Sequence, residues 1–310
     1  MRAVRHTEAG IETVELPEPT GDGVRVRVRS SGICGSDLHM LEWGPMPVTL
    51  GHEVAGHLDD GTAVAVWPLV ACGTCDRCAA GEVSQCRTGP GQVYGIGRDG
   101  GMADDLVADP ACIVPLPAGV DVADAALVEP VACGVHALRR AGVRSGDRVA
   151  VVGAGAIGLG AAAAARWIGA DVDIAARHPT QQQAAEKIGV GTDPGGEYDV
   201  VVDAAGNEAA IAKCVELVRP GGTIALLASY WEPVAFPQFF TMKEPMLVGA
   251  NMHGRDATGT DMEAAAEMLA DLPEVSRAMI THRFPLERAR EAFMVAADRA
   301  AGAIKVVLEP

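Results

Sequence analysis

Four cysteines in the first third of the chain are spaced as the ligands of a metal ion. They lie within 15 positions and offer enough thiolates for one tetrahedral site, an arrangement that suits Zn²⁺. Protein would fill all four corners, which predicts a structural ion that stabilises a small lobe and meets no substrate. The four residues are Cys72, Cys75, Cys78 and Cys86.

Two disulfides or an iron–sulfur cluster would use similar spacings. The chain begins MRAVRHTEAG, without the apolar stretch of a secretory signal, so we expect a cytoplasmic protein whose thiols stay reduced. The sequence also lacks a second cysteine cluster of the kind that would suggest electron transfer. Structural zinc is therefore the favoured interpretation.

A second group of polar residues predicts an open metal site. Cys34 lies in the segment GICGSDLH, and His52 and Glu53 lie in GHEVAG. A catalytic zinc needs three protein ligands and one open corner, so another ligand must come from farther along the chain. Glu129, an isolated acid in an apolar, alanine-rich stretch, is the best candidate, with Glu53 as a supporting or exchanging ligand.

Each of these residues has a plainer interpretation when it is taken alone. A single cysteine is more often a small buried apolar side chain than a ligand, and a single histidine is usually an ordinary hydrogen-bonded one. Their combination with the four-cysteine segment favours a metal enzyme.

A glycine-rich loop follows an apolar strand predicted at Arg148–Gly153. It has the form G-x-G-x-x-G and leads into a helix of alanines, which is typical of a dinucleotide-binding turn. The first glycine allows the tight turn, the second lets a pyrophosphate approach the backbone, and the third lets the helix pack closely on the strand. The pyrophosphate would bind free N–H groups at the start of the helix. The predicted contacts are Gly153, Gly155, Ala156, Ile157 and Gly158.

The end of the second predicted strand of this region indicates which nicotinamide coenzyme binds. An acid there would accept hydrogen bonds from the ribose 2′-OH of NAD, whereas this chain carries Arg177 with His178 beside it. A guanidinium can bind a 2′-phosphate through two hydrogen bonds, so we expect NADP(H) to be favoured over NAD(H). Two alternatives stay open: Arg177 turns outward, or Asp173 serves the ribose.

Hydrophobic patterning predicts the elements that position these groups. The alternation VRVRVR predicts a strand at residues 24–29 with its arginines in solvent, followed by a loop at Ser30–Gly35. Short apolar runs rich in Gly and Pro then predict a β-rich domain as far as about residue 130. From about residue 137 to 260, apolar runs alternate with alanine-rich stretches as in βαβ units. Besides Arg148–Gly153, the predicted strands there are Val172–Ala176, Asp199–Asp203, Thr223–Ala228 and Met246–Gly249.

Composition bounds the class of protein. The 310 residues suffice for about two domains. A net charge of −16 makes nucleic acid and anionic membrane surfaces poor partners. The longest charge-free run, Val149–Ala165, is shorter than a membrane span and contains the glycine-rich loop. We therefore expect a folded protein with neither nucleic acid nor membrane as a partner.

Taken together, these motifs resemble the zinc-dependent medium-chain dehydrogenase/reductase family, most closely its polyol (sorbitol-like) and threonine dehydrogenase branch. The resemblance rests on GICGSDLH, GHEVAG, the C-x₂-C-x₂-C-x₇-C segment and the Glu129-Pro130 pair that precedes His136-Ala137. It runs almost from end to end and implies an α/β fold. A doubly wound parallel sheet, the Rossmann domain, would accompany a β-rich GroES-like catalytic domain that carries the zinc lobe.

The resemblance also implies a division of the chain. The catalytic domain would comprise residues 1–136, with its zinc lobe at 72–86, and the dinucleotide-binding domain would comprise residues 137–260. The segment 261–310 would complete the catalytic domain. Its pattern predicts helices near Asp261–Leu269 and Glu287–Ala297 and a strand at Ala303–Leu308.

Residue roles follow from the same resemblance. It implies that Cys34, His52 and Glu129 are the catalytic zinc ligands and that Glu53 is an alternate ligand. Ser36 and His39 fall where the family passes the substrate proton to solvent.

Four positions are assigned less directly. Lys305 resembles a basic residue that the family often places near the cofactor phosphates, although by itself it is an ordinary solvated lysine. Trp43, Met46 and Tyr94 are expected as walls of the substrate pocket or as core residues.

The implied activity is reversible oxidation of a secondary alcohol to a ketone, with hydride passing to NADP⁺ and two zinc ions per chain. The substrate would be a polyol, a cyclitol or an amino alcohol, and the chain would form a homodimer or homotetramer through the strand near Met246–Gly249. Two alternatives stay open: a zinc-free alkene or quinone reductase of the same fold, and a non-catalytic NADP-binding redox sensor.

One feature departs from the family pattern. Only 19 residues separate His52 from Cys72, fewer than the family usually has. We expect a shortened surface hairpin around Leu58–Thr62, with the loop near Asp59-Asp60 most affected.

Overall fold

The computed structural model describes residues 1–256 and 258–310, which divide between two units. The first unit comprises Met1–Glu129, Gly254–Ser276 and Ile280–Pro310, and the second comprises Pro130–His253 and Arg277–Met279. The divisions at 129/130 and 253/254 each come seven residues before the boundary that the sequence indicated.

The strands of the described residues are named here in chain order. They are β1 (Arg2–Thr7), β2 (Gly10–Glu15), β3 (Val24–Ile33), β4 (Glu53–His57), β5 (Ala63–Val66), β6 (Asp105–Ala108), β7 (Ile113–Pro115), β8 (Arg148–Val152), β9 (Asp171–Ala175), β10 (Tyr198–Asp203), β11 (Val218–Leu226), β12 (Met246–Gly249), β13 (Arg255–Asp256), β14 (Gly259–Thr260), β15 (Ile280–Pro285) and β16 (Lys305–Glu309).

The α-helices of the same residues follow the same convention. None of them has both the length and the hydropathy that a membrane span requires. They are α1 (Gly35–Met40), α2 (Asp76–Ala79), α3 (Val128–Ala141), α4 (Ala156–Ile168), α5 (Pro179–Lys187), α6 (Glu208–Leu217), α7 (Phe240–Lys243), α8 (Asp261–Asp271), α9 (Pro273–Met279) and α10 (Ala289–Ala297).

A seven-stranded sheet organises the first unit. Its order is β15-β16-β3-β4-β5-β7, and β6 pairs with β3 beside this path. The alternation of β3 is confirmed, because Val26 and Val28 are buried while the intervening arginines are exposed. β3 also accounts for a wrong prediction: it continues to Ile33, so most of the loop expected at Ser30–Gly35 is strand.

The continuation of β3 is possible because the hydroxyl of Ser30 finds a partner inside the protein. Ser30 is fully buried, and its hydroxyl donates a hydrogen bond to the carbonyl oxygen of Val122 at 2.8 Å. A serine pair suggested a loop from the sequence, but a satisfied hydroxyl can lie in a core strand. The strand therefore delivers Cys34, the next residue after its end, directly from the sheet.

A tight turn joins β4 to β5, as the short spacing between His52 and Cys72 led us to expect. The amide of Leu58 donates to the carbonyl of Thr62 at 2.9 Å, and Gly61 takes a φ of +88° that favours glycine. Asp60 accepts a hydrogen bond from the amide of Thr62 at 2.9 Å. The hairpin is thus closed locally, beyond the end of the strand that carries Glu53.

The C-terminal segment belongs to the first unit except for Arg277–Met279, which fall in the second unit. The predicted terminal strand is present as β16, which pairs antiparallel with β3 and parallel with β15. The two predicted helices are present as α8 and α10. Phe293 and Leu308 of this segment pack in one core cluster with Val4, Leu50 and Met102 from the start of the chain.

A five-stranded parallel sheet forms the second unit, as the repeated βαβ pattern predicted. Its order is β12-β11-β10-β8-β9. Each predicted strand is present, although β11 begins at Val218, five residues before the predicted start at Thr223. The start was missed because Pro220 and the two glycines after it predict a turn, although they lie near the beginning of β11.

Beyond β9 the sheet continues only as a single bridge between Asp173 and Gly191. Three residues, Asp173, Tyr198 and Arg148, form a small polar cluster at this edge of the sheet, which we call the tie. The hydroxyl of Tyr198 donates to Oδ2 of Asp173 at 2.7 Å and accepts from the amide of Gly195 at 3.1 Å. The guanidinium of Arg148 stacks over the tyrosine ring, 4.4 Å from its centroid.

We expect Tyr198→Phe to destabilise the second unit by about 1–3 kcal/mol, because Asp173 would lose a hydrogen bond in a half-buried place. Denaturant unfolding followed by circular dichroism measures the change. An unfolding curve that matches the unmodified protein would show that the tie contributes nothing.

Candidate active site

The first unit builds its polar site around Cys34, at the junction between β3 and α1. Cys34 has an extended backbone, with φ −92° and ψ 154°, and precedes the first residue of the helix. Its amide donates a hydrogen bond to Oδ2 of Asp37 at 2.9 Å. The helix start is thus fixed by an acid three residues after the cysteine, which is the spacing of a helix cap.

The other oxygen of the same carboxylate meets a histidine. Oδ1 of Asp37 lies 3.2 Å from Nδ1 of His52, and both side chains are buried. Burial lowers the pKa of His52, but the charges of Asp37 and Cys34 outweigh this effect and hold that pKa well above its usual value. A carboxylate behind one ring nitrogen leaves the other free to bind a metal, and it fixes the orientation of the ring.

Sequence reasoning missed Asp37, although it lies in the quoted segment GICGSDLH. It is 1% exposed, and an unpaired carboxylate is rarely buried to that extent. The spacing Cys34-x-x-Asp37 before a short helix was the available signal.

Glu53 enters the site from the neighbouring strand. It begins β4 and pairs in register with Gly32 of β3. A Cβ atom on Gly32 would lie 1.9 Å from Oε2 of Glu53, so the carboxylate occupies the space that the glycine leaves open. The glycine of the GIC motif is therefore required by the glutamate of the GHE motif.

Three side chains form what we call the ligand cluster: Cys34, His52 and Glu53. Their donor atoms all lie within 4.8 Å of one another. A thiolate, an imidazole and a carboxylate are the donors that catalytic zinc sites combine, and ligand atoms about 2.0–2.3 Å from a zinc ion would fall within this spread. The residues present therefore fit a zinc ion.

Glu129 was predicted as the third ligand of the catalytic zinc ion. It lies in the first turn of α3 and is buried, but it is not a member of the ligand cluster. Burial raises the pKa of Glu53, and the negative charge of Glu129 raises it further, so the two carboxyl groups are close enough to interact. The ligand role of Glu129 stays a prediction, and Glu53 is the carboxylate that joins the thiol and the imidazole in the ligand cluster.

The two residues of the expected proton path share one short helix. Ser36 is half-buried in the first turn of α1, and His39 is exposed in its last turn. Residues three apart on a helix are neighbours on one face. The sequence therefore places a hydroxyl beside Cys34 and an imidazole at the surface on the same side.

Lys305 is buried, whereas a lysine without a specific role would be expected in solvent. It is 2% exposed, and its ammonium group contacts both carboxylate oxygens of Glu53 and the carbonyl oxygen of Ile33. Its phosphate role stays a prediction, and its contacts in the structure are with the ligand cluster.

The expected pocket residues divide between surface and core. Trp43 is largely exposed and Met46 packs partly against the core cluster of the first unit. Tyr94 is 2% exposed and accepts a hydrogen bond from the amide of Asp109 at 2.8 Å, so it is a core residue.

The four-cysteine lobe, residues 72–86, brings its thiols together as predicted. Their sulfur atoms lie within 4.8 Å of one another, and Cys72 and Cys78 are 3.9 Å apart, too far for a disulfide. The amide of Cys72 donates to the sulfur of Cys86 at 3.3 Å, which with Thr88 lowers the pKa of that thiol to about 6. A closed set of four sulfur donors fits a structural zinc ion.

In the second unit the glycine-rich loop has the geometry that the motif predicted. Gly153 adopts a φ of +107°, and a Cβ atom on Gly158 would lie 1.9 Å from the carbonyl oxygen of Gly153. Gly155 has open space where its side chain would be and precedes α4, whose first residues are Ala156 and Ile157. The loop is thus tight where helix and strand meet and open at the helix start, which fits a pyrophosphate.

The end of β9 carries no acid in the position expected for NAD. Ala176 follows the strand, and the side chains of Arg177 and His178 after it are exposed. Asp173, the alternative ribose partner, is engaged by the hydroxyl of Tyr198. The arginine is therefore available to an anionic group at this edge, whereas the aspartate already has a partner.

Two family models match the chain. Residues 20–118 match the alcohol dehydrogenase GroES-like domain, and residues 168–308 match the zinc-binding dehydrogenase domain. These ranges include the ligand cluster, the four-cysteine lobe and the residues that follow β9.

Characterised relatives are similar along most of the chain. L-Galactonate-5-dehydrogenase of Escherichia coli (strain K12) is 34% identical over 313 positions, covering 90% of this chain and 89% of the relative. Sorbitol dehydrogenase of Halalkalibacterium halodurans is 30% identical over 351 positions, covering 100% of this chain and 99% of the relative. The second alignment spans 351 positions although this chain has 310 residues, as expected if some of its loops are shortened.

Solved structures share the whole fold. A zinc-binding dehydrogenase from Sinorhizobium meliloti 1021, bound to NADP, superposes with a TM-score of 0.85 at 30% identity and covers 100% of this chain and 99% of its own. Galactitol-1-phosphate dehydrogenase from Escherichia coli gives a TM-score of 0.87 at 28% identity, with both chains fully covered. With these likenesses and the two family matches, the chain belongs to the zinc-dependent medium-chain dehydrogenase/reductase family, in which it is a polyol-dehydrogenase-like alcohol dehydrogenase.

Proposed function

We propose that this enzyme interconverts a secondary alcohol and a ketone by hydride transfer to and from NADP(H), with one catalytic and one structural zinc ion per chain. The observation that carries the proposal is the buried ligand cluster, in which Cys34, His52 and Glu53 bring three zinc-type donors within 4.8 Å. A zinc-free alkene or quinone reductase would have no use for such a set.

The substrate class is inferred from chemistry and relatives together. The relatives named above act on L-galactonate, sorbitol and galactitol 1-phosphate, which are polyhydroxylated molecules. A carboxylate-containing ligand set in a polar, buried site suits such substrates. We therefore propose a polyol, a cyclitol or an amino alcohol.

A zinc ion held by the ligand cluster would supply Lewis-acid polarisation of the alcohol oxygen. The protein's part is to hold the donors in place and to move a proton. Asp37 fixes the ring of His52 so that one ring nitrogen faces the ligand cluster. Ser36 accepts the proton of the substrate hydroxyl and in the same step releases its own hydroxyl proton toward His39, which passes it to solvent.

The coenzyme preference is proposed from the second unit. Arg177 is exposed and stands at the position where an acid would mark NAD, and a guanidinium binds a 2′-phosphate through two hydrogen bonds. A relative in complex with NADP supports this assignment. The glycine loop would bind the pyrophosphate through the free amides at the start of α4.

Assembly and compartment complete the proposal. β12 is the last strand of its sheet and presents Met246 and Leu247 to solvent, next to the exposed Phe239 and Met242. An apolar open strand edge is an aggregation hazard unless it is covered, so we propose a homodimer or homotetramer that pairs through this edge. The four-cysteine lobe requires reduced thiols, which supports a cytoplasmic location.

We expect Cys34→Ser and His52→Ala to abolish alcohol oxidation while zinc content falls from about two ions per chain to about one. Elemental analysis, circular dichroism and a nicotinamide absorbance assay with a panel of alcohols measure these effects. The control is Cys112→Ser, which changes a buried cysteine outside both zinc clusters. Steady turnover in the Cys34 or His52 variant would refute the proposed catalytic site.

Arg177→Ala should raise the KM for NADP⁺ roughly 10- to 100-fold, as expected from losing hydrogen bonds to a charged group worth about 1.5–3 kcal/mol, and leave the KM for NAD⁺ nearly unchanged. Arg144→Ala, at an exposed position in the same unit, is the matched control. Equal effects of Arg177→Ala on both coenzymes would contradict a 2′-phosphate contact.

Met246→Glu should shift the protein toward the monomer, because it places charge on the apolar edge of β12. Light scattering after size-exclusion chromatography gives the mass. Met294→Glu, on α10, changes a methionine of similar exposure, 67% against 64%, and should leave the mass unchanged. An unaltered assembly in Met246→Glu would mean that this edge is not the interface.

A further inference from the structure

The side chain of Lys305 is brought to the ligand cluster by strand register. β16 pairs antiparallel with β3 so that Val306 lies opposite Ile33, and β3 in turn pairs with β4 so that Gly32 lies opposite Glu53. Lys305 and Glu53 are 252 positions apart in the sequence. Two adjacent strand pairings therefore place them together.

The contacts of Lys305 use its whole hydrogen-bonding capacity. Nζ lies 2.5 Å from each carboxylate oxygen of Glu53 and 3.0 Å from the carbonyl oxygen of Ile33. A lysine ammonium has three N–H donors, and here each has an acceptor. With 2% of the residue exposed, no donor remains for a phosphate group.

Both side chains of the ion pair are buried, so neither can replace its contact with the other by a contact with water. Glu53 is 0% exposed, and its carboxylate fills the space over Gly32. A buried ammonium left without its carboxylate would be strongly unfavourable, so Lys305 draws Glu53 back whenever Glu53 moves away.

Glu53 thus has two competing roles: it forms the ion pair with Lys305, and it is also a member of the ligand cluster. We propose that Lys305 is a positioning residue that competes with the catalytic metal ion for the carboxylate of Glu53, and so keeps Glu53 an exchangeable ligand and one metal corner open. This inference rests on the proposed zinc site. It gives Lys305 a role in metal coordination in place of the cofactor phosphate role expected from the sequence.

The test is a double-mutant cycle read out by metal exchange. Lys305→Met removes the competing cation and keeps a long apolar side chain, so Glu53 should bind the metal permanently. Loss of the catalytic zinc to a chelator should then slow by roughly tenfold or more, the size of effect that residues supporting metal ligands typically have. The Cys34→Ser variant identifies which phase of zinc loss belongs to this site.

Glu53→Gln supplies the second arm of the cycle. The amide is a poor zinc ligand, so Lys305→Met should have no effect on zinc loss in the Glu53→Gln background. That double variant also removes the unpaired buried charge, and it provides a folded comparison if Lys305→Met alone proves unstable. Lys305→Arg should restore exchange toward the original rate.

Cobalt substitution and kinetics give independent readouts. In Lys305→Met the visible absorption of bound Co²⁺ should weaken as the site gains a ligand, and kcat should fall while the KM for the coenzyme stays unchanged.

The outcomes separate this inference from the proposed function. A higher coenzyme KM with unchanged zinc loss would overturn the inference in favour of a phosphate role for Lys305. Faster zinc loss in Lys305→Met, in parallel with lower thermal stability, would overturn it in favour of a purely structural ion pair. If the unmodified protein holds zinc in the four-cysteine lobe alone, the proposed function itself fails.

Discussion

The burial of several negative groups in one small space is the constraint on which the site depends. Asp37 and Glu53 are both buried beside Cys34. Glu129 is buried as well, and Lys305 is a buried cation in contact with Glu53. Carboxylates withdrawn from water need a compensating charge, and Lys305 brings one positive charge to a group of three buried carboxylates. A divalent ion at the ligand cluster would complete the balance. The first unit serves as a rigid frame that holds these charged groups together while they are buried.

The frame achieves this through neighbouring strands of one sheet. β3 ends at Cys34, β4 begins at Glu53, and β16 brings Lys305 to the other side of β3. Gly32 contributes by having no side chain, because its space is filled by the carboxylate of Glu53. The site is therefore built on rigid strands and one short helix start, which is the arrangement that holds a constellation of ligands most reproducibly.

Local patterns in the sequence were sufficient for the elements and for the motif residues. The period-two alternation gave β3, the apolar runs gave the parallel sheet, and the glycine spacing gave the turn at Gly153 with its positive φ. Ser30 misled the prediction of a loop, because a hydroxyl satisfied inside the protein looks no different in sequence from one in solvent. The contacts of Lys305 could not be predicted, since they depend on the register of two strand pairings far apart in sequence.

The proposed catalytic activity depends most directly on whether a metal ion binds at the ligand cluster. Anomalous diffraction from crystals of the purified protein, recorded on both sides of the zinc absorption edge, locates such ions without any assay of activity. We predict two peaks per chain, one among the four sulfur atoms of residues 72–86 and one bounded by Cys34, His52 and a carboxylate. A peak in the four-cysteine lobe with none at Cys34 and His52, in protein prepared without chelator, would contradict the account.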